Sequence, residues 1–328
     1  MIRRLFMRVL VFLRLLIAFS LLVVVPNSFS QSYPDRTIKI IVAYQAGQGT
    51  DTATRYLAEQ VAKELGQSII IDNRPGAAGN LGTELAAQAL PDGYTLTMGT
   101  NATHVMNTYL YPGLRFDPNK DFEPIALIGT FPMIIGASPS SGIKNITDLL
   151  NIVKNKPNGA DIAVPSTTAR LVVELLKEKT HSNLFYVPYK GTSSALTDVV
   201  GGQLPLIIDT PTGLKTQMAS GNITPIAVTS LVQSNLAPGV KTVVEQGISD
   251  FEVIAWNALF APKGTPAPII NTLNTAFNKI LNRPETIQKL IDLGFDPAGG
   301  SPTKLSDFIK NENKKWGPLI KNSGIKVE

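Results

Sequence analysis

The residues best suited to chemistry lie in a short turn near the start of the chain, at positions 44–51. The turn follows an apolar run at 40–43, which is typical of a buried parallel strand. It carries two glycines and ends in Thr50 and Asp51, good N-cap residues for a helix that runs to about residue 65. Free N–H groups and the helix dipole converge at such a helix start, so the pattern predicts a site for a small carboxylate. A turn that needs glycine only for its backbone angles explains the pattern equally well.

Polar groups also follow three later predicted strands. Two turns rich in hydroxyl side chains, at 166–168 and 191–194, each come directly after a strand. Asp209 ends a further strand and could accept a hydrogen bond from a ligand amine or hydroxyl. Helix capping is the alternative role of all three groups, because each precedes a predicted helix.

Three other side chains have two interpretations each. Arg170 lies in the first turn of a predicted helix, where a positive charge opposes the dipole by about 0.3–1 kcal/mol when exposed. A bound carboxylate would offset that cost, and a solvated surface arginine is the alternative. His104 is either a general base or, as we favour, a structural histidine. Trp256 either packs at a hinge, the favoured role, or forms a wall of the cleft.

The sequence lacks the motifs of several enzyme classes. There are two histidines and no cysteine, which argues against a zinc site. Neither a nucleophile elbow nor a P-loop is present, and the turn at 47–52 lacks the third glycine of the dinucleotide fingerprint. The carboxylates are scattered. We therefore expect no cofactor, no metal and no catalysis.

The first 30 residues have the pattern of an export signal. Four arginines and no acid are followed by an apolar core at 15–25, then by Pro26 and a small-x-small cleavage pattern that ends at Ser30. The core is shorter than the roughly 20 residues that a membrane span needs. We expect cleavage near Ser30 and a periplasmic location, reached by the general secretory route, with the twin-arginine route as the alternative.

Length and charge limit the remaining possibilities. A chain of 328 residues with 44% hydrophobic residues can build about two packed domains. Subtracting the four N-terminal arginines from the formal net charge of +5 leaves +1 for residues 31–328. That balance is not typical of a nucleic-acid-binding protein, and we expect a monomer.

Alternating strands and helices with short turns predict an α/β protein of doubly wound parallel sheets. Ligands in such sheets bind beyond the carboxyl ends of the strands. We expect residues 105–121 to be irregular and a helix at 78–90. A second α/β unit is inserted in the first, so that two crossings, near 129–132 and 254–258, form a hinge. The predicted organisation is a signal peptide at 1–30, lobe I at 31–130 plus 256–328, and lobe II at 131–255.

Several motifs together resemble one known family across essentially the whole chain that follows residue 30. They are Tyr33-Pro34-Asp35-Arg36, Gly47-Gln48-Gly49-Thr50-Asp51, Asn73-Arg74-Pro75-Gly76-Ala77-Ala78-Gly79-Asn80-Leu81-Gly82, Pro91-Asp92-Gly93-Tyr94, Val187-Pro188-Tyr189-Lys190-Gly191 and Leu259-Phe260-Ala261-Pro262-Lys263-Gly264. The chain resembles the Bug-type solute-binding proteins of tripartite tricarboxylate transporters. The resemblance implies a two-lobed periplasmic binding protein of type II with a small carboxylate ligand and membrane permease subunits as expected partners.

The family resemblance also implies which residues hold the ligand. The expected ligand-binding residues are Tyr44, Gln45, Ala46, Gly47, Gln48, Gly49, Asp51, Asn80, Thr100, Asn101, Thr103, Ser166, Thr167, Thr168, Arg170, Lys190, Gly191, Thr192 and Asp209. The chain departs from the family pattern at Gln45 and Gln48, which replace prolines or glycines, and at Arg170, which stands where a histidine would fall. These changes indicate a more polar or more acidic ligand.

Other functions fit the residues less well. A solute-sensing receptor without transport is the main alternative, and the sequence does not separate it from a transport receptor. An enzyme on the same scaffold, such as a deaminase that needs a cofactor-binding cysteine, conflicts with the absence of cysteine. A cytoplasmic regulator conflicts with the export signal.

Overall fold

The computed structural model describes residues 33–155 and 160–322. The predicted signal peptide lies outside these described residues. From Arg36 onward the chain forms one folded unit, and this unit contains two mixed β-sheets with helices packed against them. We call the six-stranded sheet with its helices lobe I and the five-stranded sheet with its helices lobe II.

The lobe I sheet combines parallel and antiparallel strands. Its strands are β1 (Ile38–Val42), β2 (Ile69–Asn73), β3 (Thr95–Thr100), β4 (Phe122–Pro132), β10 (Ile254–Pro262) and β11 (Asp296–Pro297). They lie in the order β11-β4-β10-β3-β1-β2. The three parallel strands β2, β1 and β3 are followed by β10, which runs antiparallel to both β3 and β4.

Helices cover this sheet. They are α1 (Gly49–Leu65), α2 (Asn80–Ala87), α3 (Asn107–Leu110), α8 (Ala267–Leu281), α9 (Pro284–Asp292) and α10 (Pro302–Asn322). In α1, Ala53, Leu57 and Val61 recur every four residues and are buried, so one apolar stripe faces the sheet. The helix ends at Gly66, whose left-handed backbone (φ 67°) terminates it.

The lobe II sheet is also mixed. Its strands are β5 (Ile134–Ala137), β6 (Ala160–Val164), β7 (Leu184–Pro188), β8 (Leu206–Asp209) and β9 (Thr224–Val228), in the order β7-β6-β8-β5-β9. Its helices are α4 (Ile146–Asn155), α5 (Thr167–Thr180), α6 (Thr192–Val200) and α7 (Pro211–Ala219). Strand β5 runs antiparallel to both of its neighbours.

Two chain crossings join the lobes, and one threonine links them. The first crossing lies between β4 and β5, and the second leads into β10. The buried Thr229 hydroxyl donates to the carbonyl of Val253 (2.6 Å) and accepts the Met133 N–H (2.8 Å). Because these two residues belong to different crossings, Thr229 ties both segments of the hinge together.

The structure confirms the two-lobed α/β fold and differs from the prediction in some details. The sheets are mixed instead of parallel. In lobe I the returning strand β10 lies antiparallel between β3 and β4, and in lobe II β5 lies antiparallel between β8 and β9. The helix predicted at 78–90 begins at Asn80, since Ala78 has a left-handed backbone (φ 53°). The segment predicted as irregular, 105–121, begins in a π-helix at Ala102–Met106 and contains α3. The exact lobe boundaries stay a prediction.

Among the described residues, no helix combines the length and the apolar character that a membrane crossing requires.

Gly99 in β3 offers a direct test of the lobe I core. A Cβ atom at Gly99 would lie 2.4 Å from the His104 ring and 2.7 Å from the Phe260 ring. We therefore expect Gly99→Ala to lower the free energy of unfolding by about 1–3 kcal/mol, measured by urea unfolding. Gly113→Ala is the matched control, because nothing lies within 4 Å of its added Cβ. Equal stability of the two variants would contradict this packing.

Candidate functional site

A cavity lies between the lobes and draws its wall from both. Its empty volume is about 620 Å³, including its opening. The lining residues are Tyr44, Gln48, Gly49, Thr50, Thr100, Asn101, Phe131, Met133, Pro165, Ser166, Thr168, Thr192, Asp209, Thr210, Thr212, Ala255, Asn257 and Phe295. We call this space the inner cavity.

Four helix N-termini open onto the inner cavity. Gly49 and Thr50 belong to the first turn of α1, Ser166 is the N-cap of α5, Thr192 begins α6, and Thr210 is the N-cap of α7. Each N-terminus carries partial positive charge. At α5 and α7 the Ser166 and Thr210 hydroxyls already cap one N–H group each, and α7 begins with a proline, which has no N–H. Because three of these helices come from lobe II and one from lobe I, an anion in the cavity would be attracted by both lobes.

Hydrogen bonds to the Asp51 side chain stabilise the turn at 44–51. The Asp51 carboxylate accepts hydrogen bonds from the Gly47 N–H (2.8 Å), Arg55 Nε (2.9 Å) and Asn73 Nδ2 (2.8 Å). Burial works to raise the pKa of Asp51, but these donors bring it below its ordinary value. The α1 N-cap is Gln48, without a side-chain capping bond, and not Thr50 or Asp51 as predicted. Asp51 therefore shapes the turn and does not line the cavity.

Tyr44 and Thr100 of the lobe I wall belong to a hydrogen-bonded network that extends behind the wall to Thr103 and His104. The Tyr44 phenol lies 2.7 Å from Thr100 Oγ1, and the Thr103 hydroxyl lies 2.9 Å from Nδ1 of His104. His104 stacks on Phe260 with 4.0 Å between ring centroids, and burial lowers its pKa to about 3. His104 is therefore a neutral, buried ring packed in the core, which fits a structural histidine and not a general base.

Two buried residues of the inner cavity each retain a side-chain atom without a hydrogen-bond partner among the described residues. Asp209 Oδ1 accepts the Thr210 N–H (2.7 Å), while Oδ2 has no partner within hydrogen-bond distance. Asn257 Oδ1 accepts the Thr50 hydroxyl (3.3 Å), while Nδ2 has none. Burial raises the pKa of Asp209 to about 6, against the lowering effect of the nearby Thr192 and Thr210.

A second, larger space, the outer cleft, adjoins the inner cavity. Its empty volume is about 1950 Å³, and it shares Tyr44, Gln48, Pro165 and Ser166 with the inner cavity. Arg170 and Lys190 line it, and no acidic side chain does so among the described residues. The Arg170 guanidinium lies over the Tyr186 ring, 4.6 Å from its centroid. The outer cleft is therefore cationic and aromatic.

The lobes also contact each other beside the cavity. The Thr212 hydroxyl and Lys215 Nζ of α7 donate to the carbonyls of Leu293 and Asp292, the latter at 2.7 Å. The Thr168 hydroxyl donates to Asn101 Oδ1 at 3.3 Å. Each bond joins a lobe II donor to a lobe I acceptor, so these contacts hold the two lobes together.

The structure divides the predicted site residues into three groups. Those at the inner cavity are Tyr44, Gln48, Gly49, Thr100, Asn101, Ser166, Thr168, Thr192 and Asp209. Those that line only the outer cleft are Gln45, Thr167, Arg170 and Lys190. Those that line neither space are Ala46, Gly47, Asp51, Asn80, Thr103 and Gly191. Gly191 nevertheless lies close to lobe I, because a Cβ there would approach Gln48 Nε2 to 3.1 Å.

Sequence reasoning missed the residues at the bottom of the cavity. Phe131, Met133, Ala255 and Asn257 lie in or beside the hinge crossings, and Phe295 follows α9. The predicted crossings near 129–132 and 254–258 were a usable signal for the first four. Trp256, next to Asn257, is fully buried and donates to Glu312 (3.0 Å), so it packs against α10 and is not a cleft wall.

The described residues contain no cluster of side chains that could hold a metal ion. The geometry instead defines a binding protein of the two-lobed α/β class, with a polar cavity between the lobes.

Comparison with known proteins identifies the family. The family model described as the tripartite tricarboxylate transporter family receptor matches residues 53–325. Among solved structures, Rpa4515 of R. palustris with adipate has 31% identity and a TM-score of 0.86, covering 90% of this chain and 100% of that one. MatC of Rhodopseudomonas palustris with bound malate has 30% identity and a TM-score of 0.80, covering 88% and 100%.

The periplasmic binding protein BugD has 32% identity and a TM-score of 0.82, covering 90% of this chain and 100% of that one. The chain therefore belongs to the tripartite tricarboxylate transporter receptor family, which includes the Bug proteins. Members of this family are periplasmic solute-binding proteins, so the chain is a solute-binding receptor and not an enzyme.

The buried Asp209 leads to a prediction about stability. A pKa raised from 3.8 to about 6 means that the folded state binds more protons than the unfolded chain between these pH values. The free energy of unfolding therefore falls as the pH rises through this window, by about 3 kcal/mol in full. We expect Asp209→Asn to unfold at a higher urea concentration than the parent at pH 7.5 and to lose most of this pH dependence.

The matched control is Asp161→Asn, since Asp161 is exposed on β6. It should keep the parental pH dependence. If the free energy of unfolding of Asp209→Asn changed with pH in parallel with that of the parent, it would contradict the conclusion that ionisation of the buried Asp209 carboxyl destabilises the fold.

Proposed function

We propose that the inner cavity binds a small carboxylate, which the protein delivers to the permease subunits of a tripartite tricarboxylate-type transporter. The observation that carries this proposal is the convergence of four helix N-termini from both lobes on one cavity. Partial charges of about +0.5 at each N-terminus favour an anion without any cationic side chain. The ligand would thus be held largely by backbone N–H groups and hydroxyls.

The same arrangement supports capture by closure. An anion placed between α1 of lobe I and α5, α6 and α7 of lobe II interacts fully with all four helices only when the lobes meet. A ligand that makes such differential contacts shifts the protein toward the closed state. The bonds from Thr212 and Lys215 to lobe I carbonyls add to the stability of that state.

Ligands of the relatives are consistent with this site. Rpa4515 was solved with adipate and MatC with malate, and both are carboxylates. We propose the same chemical class for this chain. We also propose that it acts as a monomer in the periplasm after cleavage near Ser30, and that it binds no nucleic acid, which the net charge of +1 over residues 31–328 supports.

A paired ligand screen tests the carboxylate site. We expect carboxylic acids to raise the unfolding temperature and their primary amides to have no effect, because the helix N-termini require negative charge. A ligand at 100 times its Kd stabilises by about 2.7 kcal/mol. Native mass spectrometry of protein purified without refolding would identify a co-purified metabolite. Equal stabilisation by acids and amides, or turnover of the bound molecule, would contradict the proposal.

Substitution of Arg170 tests whether the outer cleft selects ligands with more than one carboxylate. Because Arg170 lies in a cleft without acidic lining residues, we expect Arg170→Ala to weaken binding of dicarboxylates more than binding of monocarboxylates of equal length. Titration calorimetry would measure both affinities. Arg115→Ala is the control, since its side chain is 80% exposed and pairs with Glu84 at 3.8 Å. An unchanged ratio in Arg170→Ala would remove Arg170 from the site.

A further inference from the structure

The two adjoining spaces between the lobes differ in charge. The inner cavity is lined by one charged residue, the acid Asp209, and by no lysine, arginine or histidine among the described residues. The outer cleft is lined by Arg170 and Lys190 and by no acidic side chain in the described part of the chain. The cationic side chains therefore lie outside the cavity in which we propose that the carboxylate is held.

The helix N-termini of the inner cavity act only at short range. The effect of a helix dipole falls off within about one turn of the helix end. A full charge on a side chain acts over about 8–10 Å at 0.1–0.15 M ionic strength. For an acid that is still in solvent, the attraction therefore comes from Arg170 and Lys190, because Asp209 can only repel it. The inner cavity holds an anion well but attracts one poorly from a distance.

The charge of Arg170 acts on both walls of the outer cleft. Its guanidinium lies 4.6 Å from the ring centroid of Tyr186, on β7 of lobe II. Burial raises the pKa of Tyr111, at the end of α3 in lobe I, and the positive charge of Arg170 acts to lower it. The field of Arg170 therefore reaches from lobe II to lobe I. Lys190 is exposed and lies directly before Gly191, the N-cap of α6.

The outer cleft leads directly to the inner cavity. Tyr44 and Gln48 of lobe I, and Pro165 and Ser166 of lobe II, line both spaces and so lie at their boundary. Ser166 is also the N-cap of α5, and its carbonyl accepts the Arg170 N–H at 3.1 Å. The cation and the boundary are thus one helical turn apart, so an acid drawn toward Arg170 arrives beside the inner cavity.

We infer that the outer cleft is an encounter site for anions, at which Arg170 and Lys190 attract carboxylates from solvent before these enter the inner cavity. The inference rests on the carboxylate function proposed above and adds a kinetic role for residues outside the final site. Full charges act on the free acid, whereas helix N-termini and hydroxyl groups act on the bound acid. Attraction and retention therefore occur in different spaces.

One acid opposes the two cations. The hydroxyl of Tyr189, a lining residue of the outer cleft, donates to Asp198 of α6 at 2.5 Å. Asp198 therefore lies behind the cleft wall, and its negative charge reduces the attraction. Arg74 pairs with Asp72 at 2.9 Å, so this nearby pair contributes little net charge. The association rate should respond in opposite directions to loss of Asp198 and loss of a cleft cation.

Stopped-flow tryptophan fluorescence tests the inference. Trp256 is buried on the hinge strand β10, so closure changes its surroundings. The probes are the unbranched dicarboxylates from malonate to adipate and the monocarboxylates of equal length. At about 20 mM ionic strength, Lys190→Gln and Arg170→Gln should each slow the association of dicarboxylates about three- to fivefold, and that of monocarboxylates less. Dissociation rates should stay at the parental value.

Salt and charge-conserving substitution separate attraction from contact. At about 0.5 M ionic strength the parent and both variants should associate at similar rates, because screening removes the long-range attraction. Lys190→Arg should keep the parental rate, and Asp198→Asn should associate faster. Circular dichroism verifies folding, and the exposed Lys190 carries the test alone if Arg170→Gln fails to fold.

Two control variants remove a cation elsewhere. Arg36 and Lys310 are 63% and 67% exposed, pair with Asp92 and Asp307, and line neither space. Arg36→Gln and Lys310→Gln should therefore keep the parental association rate at both ionic strengths.

Each outcome separates the two proposals. Cation variants that change the dissociation rate and not the association rate would show that Arg170 and Lys190 contact the bound acid. That result would overturn the inference and leave the carboxylate function intact. Slowing that is equal for monocarboxylates and dicarboxylates, or that persists at high salt, would also overturn the inference. Failure of every acid to bind would overturn the carboxylate function, and the inference with it.

Discussion

The antiparallel pairing of β4 and β10 is the constraint on which the rest of the structure depends. The two strands pair from Phe122 with Pro262 to Pro132 with Ile254, and both lead into lobe II. Thr229 then ties the two crossings through bonds to Met133 and Val253. Because both connections run side by side, the lobes are limited to bending about one region. The pairing of β10 with β3 on its other side brings Asn257 beside Thr100 in the wall of the cavity.

Much of the fold could be predicted from the sequence because local patterns determine it. The apolar run of β1, the apolar stripe of α1 and the order of strands and helices follow from periodicity and turn residues. The direction of β10 could not be predicted, since it pairs with β3 across more than 150 positions of chain and depends on where lobe II returns. The left-handed Ala78 likewise departs from the preference of alanine for helix.

The candidate site was predictable only where polar residues follow strands. Asp209 and Ser166 were found in this way, and both line the inner cavity. Phe295 and Thr212 were not, because Phe295 is apolar and Thr212 lies within α7 and does not directly follow a strand. Sequence motifs also do not separate the inner cavity from the outer cleft. That division arises in three dimensions, where Arg170 lies over the Tyr186 ring and lines the outer cleft but not the inner cavity.

The contacts from α7 to the end of α9 have a consequence for how this receptor can diverge. Thr212 and Lys215 bond to main-chain carbonyls, which every amino acid provides. Mutations at positions 292 and 293 therefore preserve the acceptors, provided that the backbone path is kept. Gly294 is less replaceable, because a Cβ there would lie 2.7 Å from Thr212 Oγ1. The side chains at positions 292 and 293 can therefore change during evolution while the hydrogen bonds from Thr212 and Lys215 to lobe I are kept.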